Sequence, residues 1–332
     1  MPLPISGRRL APKMSMMITR MISISGRPIG PNSATRPISG SFFTQWPRAA
    51  TILLILTLTS AASAELVHAQ FLSRVNEVEV YASVTDAKGR VVKDLPRDTF
   101  TVLEDEKPQP ITAFISGEFP AAVALAVDRS VSMAGKPLTM ARTAGRAFVG
   151  SLKPEDRAML IGISGEVEVL SPLSTDKEPL LKALDLLDPW SSTSLHDAII
   201  KSLDLLEHET GRRAIVVLSD GEDRYSSATA AAVVERARRS DVLIYPIAIG
   251  KLRPPLFAEL ATVSGGRSFH LNDPRELAPT LAAIADDLRS QYLIGYAPSR
   301  AWPTDETQWR SIVVKVSRPD LKVRARSGYS TR

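Results

Sequence analysis

Cysteine is absent from all 332 residues. That excludes disulfide bridges, thiolate metal sites, a cysteine nucleophile and a lipid-modified cysteine anchor. It does not argue against export, because a chain of this length buries an adequate core without covalent staples. Several enzyme signatures are missing too. There is no Gly-x-Gly-x-x-Gly after a strand, no phosphate-binding Lys-Ser loop, no Gly-x-Ser-x-Gly and no His-Glu-x-x-His. Acidic residues are missing from one region only. Residues 1–64 hold Arg8, Arg9, Lys13, Arg20, Arg27, Arg36 and Arg48 and no Asp or Glu. Subtracting these seven charges from the net +5 leaves −2 for residues 65–332. The basic isoelectric point therefore belongs to the leader and is no argument for nucleic-acid binding.

What is present begins with that leader. Arg48, an apolar stretch over 49–60 and Ala62-Ser63-Ala64 have the layout of a secretory signal peptide, with cleavage near Ala64 or Ala69. The apolar stretch is short of the roughly 20 residues a membrane-spanning helix needs. An uncleaved leader is the one route to a membrane. The first 48 residues, rich in Pro, Ser and Arg and without apolar periodicity, read as disordered. The rest divides into an N-terminal β segment over 71–118, an α/β domain over 119–291 and a C-terminal β segment over 292–330.

In the first segment, Val78, Val80, Ala82 and Val84 alternate with Glu77, Glu79, Tyr81 and Ser83, which predicts a strand with one buried face. Asp86-Ala87-Lys88-Gly89 predicts a hairpin turn. Phe100–Glu104 and Ile111–Phe114 complete a meander, turning at Lys107-Pro108. Strands and helices then alternate: strands at 121–128, 157–164, 166–170, 213–219, 242–249 and 267–271, with helices near 137–151, 177–187, 194–208, 226–239, 254–263 and 275–290. Gly150, Gly211 and Gly265-Gly266 mark helix ends. This alternation predicts a doubly wound, mostly parallel Rossmann-like sheet with helices on both faces. Strand 166–170, where Glu166 and Glu168 alternate with Val167 and Val169, suits an edge. After Ser290 strand patterns return at 292–296, 312–316 and 321–325. Neither flank has enough strands to bury a sheet alone. The two flanks are therefore expected to pair as one small β-sandwich into which the α/β domain is inserted.

The functional signal lies at strand ends. Val123–Val127 is an apolar run that stops at Asp128, followed by Ser130 and Ser132. A run without alternation suits a strand buried on both faces. Its acid then sits at the carboxyl edge of the sheet, where open α/β sheets bind ligands. Ile215–Ser219 repeats the pattern, ending in Asp220-Gly221. Thr193 lies in a loop just ahead of a helix. If strands 121–128 and 213–219 are neighbours where strand order reverses, Asp128 and Asp220 face one crevice. A carboxylate with neutral hydroxyl oxygens is hard-ligand chemistry, suited to Mg²⁺, Mn²⁺ or Ca²⁺. Each piece has a plain alternative. Asp and Ser cap helices and form turns, Thr193 can be a cap, and Asp-Gly is a turn pair.

Asp128-x-Ser130-x-Ser132, Thr193 and Asp220-Gly221 together resemble the metal-ion-dependent adhesion site (MIDAS) of von Willebrand factor type A (VWFA) domains, over about residues 119–291. With Val84–Gly89 and Gly295-Tyr296-Ala297-Pro298, the chain also looks like a bacterial secreted VWFA-related family over nearly all of 75–330. The resemblance implies direct metal ligation by Ser130 and Ser132, Thr193 bound directly or through water, and Asp128 and Asp220 mostly through waters. Two departures stand out. Val131 occupies a position where the family favours Gly, and Ser191-Ser192 replaces a Gly-Gly pair. Both alter loop flexibility rather than ligand chemistry.

An ion held mainly by hydroxyls keeps much of its charge and can attract a Glu or Asp carboxylate from a protein partner. The leading expectation is thus an exported, non-enzymatic, cation-dependent binding protein. A module that holds metal for stability only, and a metal-assisted hydrolase, are the alternatives. Outside the five ligands, Asp197 reads as a first-turn acid favoured by the helix dipole. Glu222 and Asp223 read as a solvated loop, and His196, His208 and His270 as surface or packing residues. Arg236, Arg238 and Arg239 read as a solvated helix end.

Overall fold

A computed structural model of the protein describes residues 77–301 and 307–331. The basic leader and the cleavage positions Ala64 and Ala69 lie outside the described residues. Among the described residues, no helix is long and apolar enough to cross a membrane.

The chain enters through β1 (Val78–Thr85), β2 (Phe100–Glu104), β3 (Lys107–Gln109) and β4 (Ile111–Ser116). The expected turn at 86–89 is present. Gly89 takes φ +77° and its amide donates to Asp86 O, while the Asp86 carboxylate accepts the amides of Lys88 and Arg90. The turn placed at Lys107-Pro108 is not where the chain reverses. Asp105 and Glu106, at φ +46° and +67°, form a two-residue hairpin turn, and Lys107 and Pro108 already belong to β3. Two successive positive φ angles match the twist of paired strands. Pro108 fits β3 because that strand lies at its sheet's edge, where a missing N–H costs nothing.

The α/β layer follows: β5 (Ala121–Asp128), α1 (Lys136–Ser151), β6 (Arg157–Ile163), β7 (Val167–Ser174), α2 (Glu178–Asp185), α3 (Leu195–Leu206), β8 (Arg212–Ser219), α4 (Ala230–Arg238), β9 (Leu243–Ile249), α5 (Pro255–Ser264), β10 (Phe269–Leu271) and α6 (Leu277–Arg289). The strand order is β10-β9-β8-β5-β6-β7, parallel except for β7, which runs antiparallel at the edge as its alternating pattern suggests. All eight residues of β5 are buried. Ala121, Val123, Leu125 and Val127 face one hydrophobic cluster, with α1, α2 and α6. Ala122, Ala124 and Ala126 face a second, with α3, α4 and α5. This two-sided burial is why the run shows no alternation. Helix α5 ends at Gly265, in the left-handed conformation at φ +80°. Gly150 does not end α1, which continues through Ser151. Helix α4 starts four residues later than its pattern suggests, capped by the Thr229 hydroxyl.

The last strands are β11 (Tyr292–Tyr296), β12 (Trp309–Val316), β13 (Lys322–Ala325) and β14 (Gly328–Ser330). They pair with the first four in two antiparallel sheets, ordered β13-β1-β11-β4 and β14-β12-β2-β3. One core joins the sheets, drawing Val80, Ala82 and Val84 against Phe100, Val102, Ile312 and Tyr329. The flanks thus form a sandwich, each sheet mixing strands from both ends of the chain. Strand β1 is buried on both faces rather than one, because its second face meets the α/β layer. Gln291 donates to Ser83 Oγ and to Tyr245 Oη, and Tyr245 and Arg324 both donate to Asp287 Oδ2.

Candidate functional site

Strand order reverses at β5: the chain leaves it toward β6 and later returns to its other side at β8. Asp128 and Asp220 therefore come off adjacent strands at the carboxyl edge. Asp128 is fully buried. Its Oδ1 accepts the Ser130 amide at 2.8 Å and its Oδ2 accepts the Ser219 hydroxyl at 2.6 Å. The hydroxyls of Ser130 and Ser132 lie 3.0 Å apart, Ser130 buried and Ser132 exposed.

The Thr193 loop is stitched to both neighbours. Val131 donates its amide to Ser191 O, and Trp190 donates to Arg129 O. The Thr193 carbonyl accepts the amides of Arg224 and Tyr225, each at 3.0 Å. Thr193 is itself buried and precedes α3 without capping it: Ser194 holds the cap position. Asp220 is half-buried, and its Oδ1 accepts the Glu222 amide. Gly221 takes φ +87°, and a Cβ there would collide with the Pro254 ring, so only glycine fits after Asp220. Ser191, the first of the two serines standing in for glycines, is held at φ +57°.

Burial pushes the Asp128 carboxyl above its ordinary value. Hydrogen bonds from Ser130 and Ser219 oppose the rise, and the charge of Asp220 adds to it. The charge of Asp220 is thus felt at Asp128, whose carboxylate accepts the Ser130 amide and the Ser219 hydroxyl. Among the described residues no three His, Cys, Asp or Glu side chains gather as a metal cluster. Any ion here would depend on hydroxyl oxygens. The donors are all hard, and the serine spacing suits a small ion. Neighbouring ligands of an octahedral Mg²⁺, each about 2.1 Å from it, stand about 3.0 Å apart.

Two groups matter more than the sequence suggests. Ser219 ends an apolar strand and carries no spacing signal, since only the β5–β8 pairing sets it against Asp128. Asp223 is not simply solvated. It accepts the Ser226 hydroxyl at 2.6 Å and the His196 amide, and lies 3.3 Å from His196 Nδ1. Asp197, in the first turn of α3 as expected, accepts the amides of Ser227 and Ala228. Together they tie the 221–229 loop to α3. Arg236 likewise bridges to Asp204 and Glu207 instead of being fully solvated. His270 is half-buried.

Residues 123–222 match the family model of the von Willebrand factor type A domain. An uncharacterized protein of Borreliella burgdorferi is 28% identical over 155 residues, which are 39% of this chain and 45% of that protein. The chain thus spans less than half the length of this curated relative. Among solved structures, a von Willebrand factor type A protein from Catenulispora acidiphila superposes with a TM-score of 0.47 at 11% identity, over 77% of this chain and 72% of that one. Proximal thread matrix protein 1 from the mussel byssus, with a zinc-occupied MIDAS motif, gives 0.48 at 14% identity, over 56% and 50%. A mostly parallel sheet ordered around β5, with helices on both faces and antiparallel sheets flanking it, thus carries the segment 123–222 that is similar to a von Willebrand factor type A domain.

Proposed function

We propose that Asp128, Ser130, Ser132, Thr193 and Asp220 hold one divalent cation, Mg²⁺ in the resting protein, and that the chain binds a protein partner through it. The observation that supports this most is the locking of three separate loops around a buried, uncompensated carboxylate, with two serine hydroxyls at the spacing of adjacent octahedral ligands. When bound, the ion supplies positive charge and an open coordination position for a partner's Glu or Asp carboxylate. The protein's own part is to present oxygens without neutralising that charge. Ser130, Ser132 and Thr193 are neutral, and Asp128 is partly occupied by Ser130 and Ser219.

One carboxylate–metal bond does not make a specific complex. Surface around the site, on the order of 1,600 Å² across both partners, must contribute. The role in this reading is binding rather than catalysis. The leader further supports export, with the domain working outside the cytoplasm.

The test is affinity capture from a cell-envelope extract on the immobilised chain, with magnesium or with EDTA, alongside Asp128→Ala. Partners retained only with magnesium and lost in the variant, whose fold is checked by circular dichroism, support the proposal. Magnesium-dependent melting without any magnesium-dependent partner would assign the ion a structural role instead.

A further inference from the structure

Beside the five oxygens lies an open pocket of about 510 Å³, lined by Arg129, Gly165, Glu166, Glu168, Trp190, Ser191 and Tyr225. It adjoins the candidate metal site through the chain itself. Arg129 sits between Asp128 and Ser130, and Ser191 lies two residues before Thr193. Its walls carry two large aromatic side chains left in solvent, Trp190 at 63% and Tyr225 at 69% exposure. Its rim carries two carboxylates, Glu166 from the bend just before edge strand β7 and Glu168 from within that strand.

The exposed charge in this pocket is negative. Arg129 donates Nη2 to Glu168 at 2.9 Å, but its side chain is only 15% exposed and its Nε is buried. Glu168 remains 45% exposed despite the pairing, and Glu166 is exposed as well. Aromatic faces next to surplus carboxylate are the chemistry that receives a guanidinium or ammonium group. An anionic side chain would meet Glu166 and Glu168. A neutral apolar one would strip water from them with no compensation.

We infer that this pocket receives a Lys or Arg side chain of the partner, a few residues from the acid that meets the ion. The inference rests on the cation-dependent binding proposed above. It specifies the partner as a segment with both signs of charge, its acid on the metal and its base between Trp190, Tyr225 and the two glutamates. The arrangement also explains why Trp190 and Tyr225 stand in solvent on two different loops beside the same site.

The base pocket can be tested without the metal. The ¹⁵N-labelled full chain in EDTA is titrated with N-acetyl-arginine methylamide and, separately, with its uncharged citrulline analogue. The expected result is a saturable shift of the Trp190 indole N–H by the arginine compound, with the citrulline compound binding about two- to fivefold more weakly. Glu166→Gln weakens arginine by a similar factor. An unmoved Trp190 signal, or equal response to citrulline, overturns the inference and leaves the metal proposal standing.

A second titration uses hexapeptides containing one Glu and one Arg two residues apart, in magnesium. The arginine peptide should bind more tightly than its citrulline counterpart, and Asp128→Asn should remove the magnesium-dependent part while the Trp190 response to arginine persists. If magnesium and Asp128→Asn change nothing while Trp190 still responds, the metal reading fails and with it the idea of a shared partner.

Discussion

Ser219 donates its hydroxyl hydrogen to Asp128 Oδ2 across 2.6 Å, joining the carboxyl ends of β8 and β5. Both groups are fully buried, and the same Ser219 oxygen accepts the Gly221 amide. One side chain thereby orients the carboxylate of the first loop and starts the turn that carries Asp220. Groups that orient a ligand without touching the ion typically change metal affinity 10- to 100-fold when removed. Ser219→Ala is expected to weaken magnesium binding by about tenfold, read by isothermal titration, with the fold retained. An unchanged affinity would sink the idea that Ser219 sets the position of Asp128.

Asp128 is a buried acid with its carboxyl pushed up by burial and by Asp220. Without an ion that arrangement works against folding, whereas asparagine keeps the shape and removes the charge. In EDTA, Asp128→Asn should unfold at the same urea concentration as the wild type or higher. Added magnesium should stabilise only the wild type, by about 2.7 kcal/mol at a hundredfold excess over the dissociation constant. A magnesium-dependent shift of equal size in the variant would show that the ion sits elsewhere.

Two buried arginines are predicted to behave in opposite ways. Arg212 is fully buried, its guanidinium about equidistant from the rings of Tyr81 and Phe119, at 5.5 and 5.3 Å, and none of its three side-chain nitrogens has a hydrogen-bond partner among the described residues. Arg310 is equally buried but pairs with Glu104, which also accepts from Tyr296 and Tyr329. Arg212→Met should be neutral or stabilising by about 1–2 kcal/mol, since desolvation already works against the charge. Arg310→Met leaves Glu104 as a buried unpaired charge and should cost about 3 kcal/mol or more. Urea midpoints compare the two. Equal losses would contradict the distinction.

The tyrosines predict an alkaline limit to stability. Tyr81, Tyr245, Tyr292, Tyr296 and Tyr329 all have phenols raised above the ordinary value, first by burial. Glu79 adds to the effect at Tyr81, Asp287 at Tyr245, Asp94 at Tyr292, and Glu104 at Tyr296 and Tyr329. Tyr329 is pushed up to about 12. A raised acid binds its proton more tightly when folded, so its contribution is fully present below the unfolded value of about 10 and declines above it. Urea midpoints should fall as pH climbs from about 10 through 12, with phenolate absorbance appearing together with unfolding. Ionisation of all these phenols in the still-folded chain would count against their burial.

Ser191 holds a left-handed backbone conformation at φ +57°. For a residue with a Cβ this costs roughly 1–2 kcal/mol, while glycine loses about 0.5–1 kcal/mol more entropy on folding. Ser191→Gly is therefore expected to be neutral to stabilising by about 1 kcal/mol. Its effect on magnesium affinity separates strain that shapes the site from strain that is merely tolerated.

Much of this protein is readable in its order of residues. Apolar runs of strand length alternating with helical segments specify a doubly wound sheet, because a strand covered on both faces has no polar side to show. Asp128 and Asp220 are legible as acids ending two such runs, and Ser130, Ser132 and Thr193 as hydroxyls in the adjoining loops. Even the sandwich is implied, since neither flank can bury a sheet alone. What required the third dimension is whatever depends on two distant segments meeting. Ser219 becomes a partner of Asp128 only through the β5–β8 pairing. The second buried face of β1 exists only because the α/β layer packs there. The hairpin at Asp105-Glu106 was set by the pairing of β2 with β3 and not by the proline two residues on. Local periodicity reports how a residue relates to its own element. Packing between elements decides which side chains share a site, and there a one-dimensional pattern has no reach.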